Sequence, residues 1–552
     1  MLKKTAAGLL IGALGLGLFS FKTENERYFD IAKNLDIFAT LFKEVNTYYV
    51  DEVTPGKLVK TGIDAMLKSL DPYTNYISED DIEDFRTQTT GQYGGIGAVI
   101  GNRDGKTIVQ LPYEGMPAQK AGLLIGDEIL KIDGLDITKK SNSDVSKLLR
   151  GQANTTVKLE IKRFGTEKVF EVAVTRDKIQ IDNVPYYGMV TNDIGYFQLS
   201  GFTMDATREV KNAMFKLKEM GAKKIIFDLR DNPGGLLNEA VNISNLFVEK
   251  GKDIVSTKGK VTEWNKVYKA LDEPLDTQIP MVILTSSRSA SASEIVSGVM
   301  QDYDRAVLVG DRTFGKGLVQ ATRPLSYNSQ LKVTTAKYYT PSGRCIQEVD
   351  YSHRKEDGSL GKIPDSLRVA FKTAGGRTVY DGGGVAPDVE VADKEYSDIS
   401  KTLGNKGYFF EYANKYRADH ATIPPAKEFK LSDAEYQKFV AFLKKKDVSY
   451  STSVEQAVDE LVKKSKAEKH YDDVKVEIEQ LRKKISHNKA NDLQRFKPEI
   501  KELLEQEIAL RYYFQKGAIE ASFDDDEDIV TAMNILNDPQ RYSSLLKTGG
   551  KK

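Results

Sequence analysis

Histidine is scarce in this chain: four residues among 552, none before His353. His353, His420, His470 and His487 are scattered and no pair shows ligand spacing, which argues against a metal centre. Cysteine is scarcer. Cys345 stands alone, so no intramolecular disulfide can form, and it reads as a buried small residue without a redox role. This avoidance of cysteine is compatible with an oxidising compartment. Net charge is also missing, Lys+Arg 80 balancing Asp+Glu 80, which excludes the basic footprint of a nucleic-acid binder. Long apolar runs are confined to Ala6–Phe21, which follows Lys3 and Lys4 as in an export signal. The run is short for a spanning helix and is weakened by Gly8, Gly12, Gly15 and Gly17. A cut after Ser20 would put Leu18 at −3, a poor cleavage site, so an uncleaved N-terminal anchor is the alternative to a removed signal. Both readings make the protein exported and periplasmic, soluble or held at the inner membrane.

What is present is ordinary for a globular protein: 40% hydrophobic residues with interspersed charge. The length implies about three to four domains. Residues 28–90 read as helical, with Phe29, Ala32, Leu35, Phe38, Leu41, Phe42 and Val45 on one face and breaks at Pro55 and Pro72. Residues 91–176 change to short strands and turns, with period-two alternation over Val157–Ile161 and Val169–Val174. Residues 177–395 alternate strand and helix. Ile194–Leu199, Lys224–Leu229 and Pro280–Ser286 are the expected strands, and Met204–Met220, Leu236–Phe247 and Ser293–Asp302 the helices, an α/β core. Residues 396–552 are expected to be mostly helical and charged, mainly a solvated surface.

Three stretches carry chemistry. SASASE (Ser289–Glu294) places Ser291 at the mouth of a helix, where the Ala292 and Ser293 N–H groups favour developing negative charge. The bland reading of Ser291 and Glu294 is an S-x-x-E capping box, and Ser286, Ser287, Ser289 and Ser293 are rivals. FGKGLVQ (Phe314–Gln320) offers Lys316, an exposed loop lysine on the bland reading, or a base where histidine is absent, because a desolvated lysine can be neutral. Lys316 and Gln320 are four apart and would share one face of a strand. Gly310 to Lys316 also fits the start of a phosphate-binding G-x-x-x-x-G-K loop, but Gly317 replaces the required Ser/Thr and a strand follows. DLRDNPGGLL (Asp228–Leu237) ends a buried strand in a turn whose glycines permit positive φ and close backbone approach. A plain tight turn explains the same residues. Together these stretches suggest a Ser–Lys hydrolase.

In this order, LDPYTNYI (Leu70–Ile77), YGGIGA (Tyr93–Ala98), GMPAQKAGLLIGDEILKIDG (Gly115–Gly134), DLRDNPGGLL, SASASEI, FGKGLVQ, YYTPSGRCIQ (Tyr338–Gln347) and GGVAPDVEV (Gly383–Val391) resemble the tail-specific, or carboxyl-terminal processing, serine protease family. The resemblance covers roughly residues 28–395. It implies a multidomain α/β protein with a ClpP/crotonase-like protease core, an inserted β-rich PDZ domain at 91–176, a helical N-terminal segment and a helical C-terminal region. It implies Ser291 as nucleophile, Lys316 as general base and Gln320 as the residue positioning the lysine, with no cofactor. The oxyanion hole would be the Ala292 amide with one from Gly234 or Gly235. Cys345 departs from the serine common in its motif, and the Asp350–Gly376 insertion lies outside the shared minimum.

In the PDZ-like segment, Gly94, Gly95, Ile96 and Gly97 would present N–H groups to a substrate's terminal carboxylate while the tail adds as a strand. Arg150 and Arg163 are the expected contacts from this module to the catalytic part. The implied partners are C-terminal tails of protein substrates, and an adaptor protein or a second copy bound through the helical C-terminal region.

Overall fold

The computed structural model describes residues 24–166, 168–354, 360–392, 394–489 and 491–547. The apolar run Ala6–Phe21, and with it the signal or anchor expectation, lies outside the described residues. Among those described, no helix is long and apolar enough to cross a membrane.

The chain divides after Tyr76 into two compact units. The first holds helices α1 (Glu24–Tyr48) and α2 (Pro55–Lys68). Pro55 occupies the start of α2, where its missing N–H costs nothing. Phe29, Leu35, Phe38 and Leu41, spaced as the apolar periodicity predicts, are exposed.

The second unit begins with helix α3 (Ile82–Thr90), closed by Gly91 at φ +69°, and strand β1 (Gln92–Gly95). Next comes an antiparallel sheet in the order β2 (Ala98–Arg103), β3 (Lys106–Pro112), β4 (Glu128–Ile132), β5 (Thr156–Lys162), β6 (Val169–Thr175). The alternation read from the sequence is observed: Val157, Leu159 and Ile161 are buried and the residues between them face outward. Helix α4 (Asn142–Leu149), capped by Ser141, lies beside β2, the edge strand. The chain leaves this module through β7 (Asp177–Gln180), which pairs antiparallel with β1.

The core that follows is a six-stranded sheet, β8 (Tyr186–Met189), β9 (Ile194–Gln198), β10 (Lys224–Asp228), β13 (Met281–Thr285), β14 (Val307–Gly310), β17 (Val389–Glu390), parallel except for β8. The interiors of its central strands are apolar because both faces are covered. Ile225, Phe227, Met281 and Ile283 pack against helices α5 (Ala206–Glu219), α6 (Leu237–Asn245) and α7 (Ala292–Asp302). Ile226, Val282, Leu284 and Val309 pack against Phe523, Ile529, Ala532 and Ile535 near the C-terminus. The C-terminal region is therefore not merely a solvated charged surface: part of it covers the second face of the sheet.

A second sheet stands beside the first. In it β16 (Gln330–Tyr339) pairs antiparallel with β11 (Asp253–Gly259), which continues to β12 (Lys266–Lys269), and with β15 (Leu318–Pro324). The helical region proper has its own core, in which Leu403, Tyr412, Tyr436, Phe439, Leu504 and Ile508 are buried together.

Candidate active site

β13 is buried throughout and ends at Thr285, so the chain must turn before entering α7. Hydrogen bonds remove most of the rival serines from consideration. The Ser289 hydroxyl donates to the Leu229 carbonyl (2.8 Å) and that of Ser293 to the Asn232 carbonyl (2.9 Å), both fully buried. The Ser286 hydroxyl donates to Asp231. Ser291 alone of the five lines the cavity formed by this turn. Its backbone is at φ +56°, ψ −110°, a region costly by about 1–3 kcal/mol for a side chain with a Cβ. Hydrogen bonds at both of its backbone groups hold it there. Its N–H donates to Glu294 (2.7 Å), and its carbonyl accepts from the Tyr338 hydroxyl (3.1 Å) and from the Glu294 and Ile295 N–H groups.

The glycine turn sits against this serine. A Cβ on Gly234 would lie 2.9 Å from the Ser291 Cβ and 2.8 Å from the Ala292 nitrogen, and one on Gly235 would strike the Phe202 carbonyl at 2.4 Å. Gly234 also has φ +97°, so the pair is dictated by close approach. The two amides are not equivalent. Gly234 N–H donates to the Asn232 side chain (2.9 Å), whose amide in turn donates to the Leu199 carbonyl (2.7 Å). No described hydrogen bond uses the N–H of Gly235 or of Ala292. Of the three amides, those of Gly235 and Ala292 are the ones left without a described acceptor.

Glu294 ties the serine turn to the lysine loop. The carboxylate is fully buried and accepts four hydrogen bonds: from Ser291 N–H (2.7 Å), Lys316 N–H (2.9 Å), Gly315 N–H (2.7 Å) and the Thr313 hydroxyl (2.6 Å). Burial pushes its pKa up to about 7, against the pull of these donors. The capping interaction expected from S-x-x-E is thus half of its role, and local sequence carries no signal for the other half.

Lys316 precedes β15, and the β15–β16 register shifts between Val319 and Gln320. The extra residue at that shift, Thr335, belongs to β16, so alternation along β15 is intact; Lys316 itself stands two residues before the strand begins at Leu318. Lys316 and Gln320 both line one cavity, of about 550 Å³, with Ser291, Ala292, Gly234 and Gly235. Phe85 and Thr89 of α3, Leu236, Ile295, Lys332 and Tyr338 complete its walls. The Gln320 amide donates to the Thr334 hydroxyl (3.2 Å), which fixes its side chain.

In the inserted module, Gly94 and Gly95 belong to β1 and pair with β7, and the Gly94 carbonyl accepts from Gly151 N–H. Ile96 and Gly97, the latter at φ +70°, form the turn into the β2 edge. Arg150 ion-pairs with Asp84 on α3, one residue from the cavity-lining Phe85, and its guanidinium lies over the Tyr93 ring. The Tyr93 hydroxyl, desolvated beside Tyr113, is pushed up to about 12. Arg163 corrects its expectation. Its guanidinium grips Asp127 (2.8 Å) and the Gly122 carbonyl within the module, and it shares a small cavity with Asn414, Arg417 and Arg511 of the helical region, not with the catalytic part.

An α/β core with this serine turn, joined to a peptide-binding type of sheet, defines a serine endopeptidase that carries a PDZ domain. Residues 193–352 match Peptidase family S41, residues 108–163 the PDZ domain, and residues 399–536 the C-terminal helical domain of probable PDZ-proteases. The carboxy-terminal-processing protease of Bartonella bacilliformis is 39% identical over 334 residues, covering 60% of this chain and 76% of that protein. A probable CtpA-like serine protease of Staphylococcus aureus (strain MSSA476) is 39% identical over 393 residues, 69% of this chain and 77% of that protein. The solved photosystem II D1 C-terminal processing protease shares 27% identity, covering 65% of this chain and 92% of that one, with a TM-score of 0.35. The chain belongs to peptidase family S41, with the carboxy-terminal-processing proteases.

Proposed function

We propose that this protein binds the C-terminal tails of exported proteins on its PDZ domain and cleaves them through an acyl-enzyme, with Ser291 as nucleophile and Lys316 as base. The observation that carries the reading is the single cavity shared by Ser291, Lys316, Gln320 and the amides of Gly235 and Ala292.

A substrate tail adds as a strand along β2, between it and α4, with its carboxylate at the Ile96–Gly97 turn. Gly94 and Gly95 shape the base of that turn. An extended segment of the same substrate enters the cavity. The neutral Lys316 amine takes the Ser291 proton as Oγ bonds to the scissile carbonyl carbon, and Gln320 orients the amine. The oxyanion is held by the N–H groups of Gly235 and Ala292. The ammonium of Lys316 returns the proton to the leaving amine as the C–N bond breaks. Water, deprotonated by the same lysine, then releases the acyl group. Lys3 and Lys4 followed by the apolar run Ala6–Phe21 support export to the periplasm, with or without retention at the inner membrane. The helical region offers surface for an adaptor or a second copy.

The test uses an internally quenched peptide with an apolar tail, in free-acid and amidated forms. Wild-type protein cleaves the free acid faster, and Ser291→Ala and Lys316→Ala lose turnover by orders of magnitude while melting at unchanged temperature. Cleavage retained in Lys316→Ala would overturn the assignment, and absence of cleavage by wild-type protein would leave a peptide-gripping scaffold.

A further inference from the structure

The cavity holds a second amine that the reaction scheme does not employ. Lys332 lies on β16 opposite Thr322 of β15, one same-face pair beyond Gln320 and Thr334. Lys332, Thr322 and Gln320 all line the cavity. Strand rise puts two residues roughly 6–7 Å apart, so Lys332 stands about two substrate residues along from the Gln320 side chain for a peptide lying extended beside β15.

Three features set Lys332 apart from a surface lysine. It is half-buried. Among the described residues its ammonium has neither an ion pair nor a hydrogen bond, whereas the part-buried Lys218 meets Asp276 and Lys224 meets Asp193. The third concerns its surroundings: the residues lining the cavity include two lysines and no aspartate or glutamate. Burial lowers the Lys332 pKa from its ordinary value, the direction expected of a desolvated cation without a counter-charge. A partly buried cation in a carboxylate-free wall is stabilised by an anion brought from outside.

We propose that Lys332 is a specificity-determining residue that receives an acidic side chain of the substrate, about two residues from the scissile bond. The occupant is an Asp or Glu carboxylate of the cleaved segment. The substrate's terminal carboxylate is assigned to the PDZ turn, in a separate module. This inference rests on the catalytic reading above. It adds to that reading a preference for substrates combining an apolar tail with an acidic residue near the cut.

Quenched peptides differing only by Glu against Gln at each of the three positions on either side of the bond test it. Wild-type protein should show a kcat/KM ratio for Glu over Gln of about tenfold at one position. The ratio should fall to near one in Lys332→Met and be retained in Lys332→Arg. In Lys332→Glu the preference should reverse toward a Lys-containing peptide. A wild-type ratio within twofold at every position, or an undiminished ratio in Lys332→Met, would overturn the assignment. So would loss of all cleavage in folded Lys332→Met and Lys332→Arg alike, which would make the amine part of the chemistry. Failure of the catalytic reading is distinguishable, because Ser291→Ala would then cleave both peptides of the pair.

Discussion

Glu294→Gln is the most demanding test of how the two catalytic loops are held together. In the native protein each carboxylate oxygen accepts two hydrogen bonds, Oε2 from the Ser291 and Lys316 amides and Oε1 from Gly315 and Thr313. A glutamine replaces one of these oxygens by a donor. Facing Ser291 and Lys316, the new NH2 would strand two buried N–H groups. It will turn instead toward Gly315 and Thr313, because the threonine hydroxyl can rotate and accept. The Gly315 N–H then loses its acceptor, and the Thr313 hydroxyl, which also accepts from Val385 N–H, must find another geometry. One stranded buried donor costs about 1–3 kcal/mol, and loss of charge from the remaining bonds adds to it, for a total of about 2–4 kcal/mol. Borne locally as displacement of the lysine loop, the lower figure reduces kcat/KM about 30-fold. Peptide turnover is measured beside thermal unfolding. A folded variant with kcat/KM within twofold of wild type would refute the claim that Glu294 sets the Ser291–Lys316 geometry.

The remaining predictions concern pH and two charged links. Since burial raises the Glu294 pKa from 4.5 to about 7, folding takes up a proton between those values. Its contribution to stability is full below about pH 4.5 and is lost, by about 3 kcal/mol, as pH rises through 7. Activity runs the opposite way: the ionised carboxylate is the four-fold acceptor, so kcat/KM should fall as pH drops through about 7, and an unchanged acid limb in Glu294→Gln would assign that limb elsewhere. Arg150→Ala and Asp84→Asn should each reduce the advantage of a free-acid tail two- to fivefold, the scale of a half-exposed ion pair; unchanged turnover and tail dependence would reject coupling through this pair. Arg230 donates to Asp228 and to Asp526 and Asp528 beside the C-terminal helix Glu527–Asn537, four residues before Gly234. Burial opposes its charge, but Asp228 and Asp526 outweigh burial and hold its pKa above the ordinary value. An Asp526→Asn/Asp528→Asn double variant should lose about 1–2 kcal/mol of stability and slow turnover, while wild-type melting and rate would show that the link is idle.

Much of this was readable from residue order, because the signals are local. The buried runs KIIFD and MVILT announce a sheet covered on both faces, and the alternation in VKLEI announces a half-buried strand. The serine turn, the glycine pair and the lysine loop are visible as motifs for the same reason. What the sequence hides is long-range. Glu294 looks like a cap because its partner Ser291 is three residues away, whereas Thr313, Gly315 and Lys316 are brought to it only by the fold. Gly234 and Gly235 are indistinguishable as letters, and only the fold shows that the Asn232 side chain takes the Gly234 N–H. The four-residue spacing of Lys316 and Gln320 is visible too, but that the lysine precedes the strand starting at Leu318 is not. Arg163 and Arg150 are the same letter, but Asp127 claims Arg163 within the module.

The PDZ sheet is joined to the rest of the chain through one narrow neck, where Gln92, Tyr93, Gly94 and Gly95 lie opposite Gln180, Ile179, Lys178 and Asp177. Entry and exit are therefore neighbours, separated by the ordinary cross-strand spacing of about 5 Å. A two-residue hairpin joining Gly95 to Asp177 would span that gap without bending either strand. Topologically the module is a bead on a closed loop, inserted without interrupting any strand of the protease sheet.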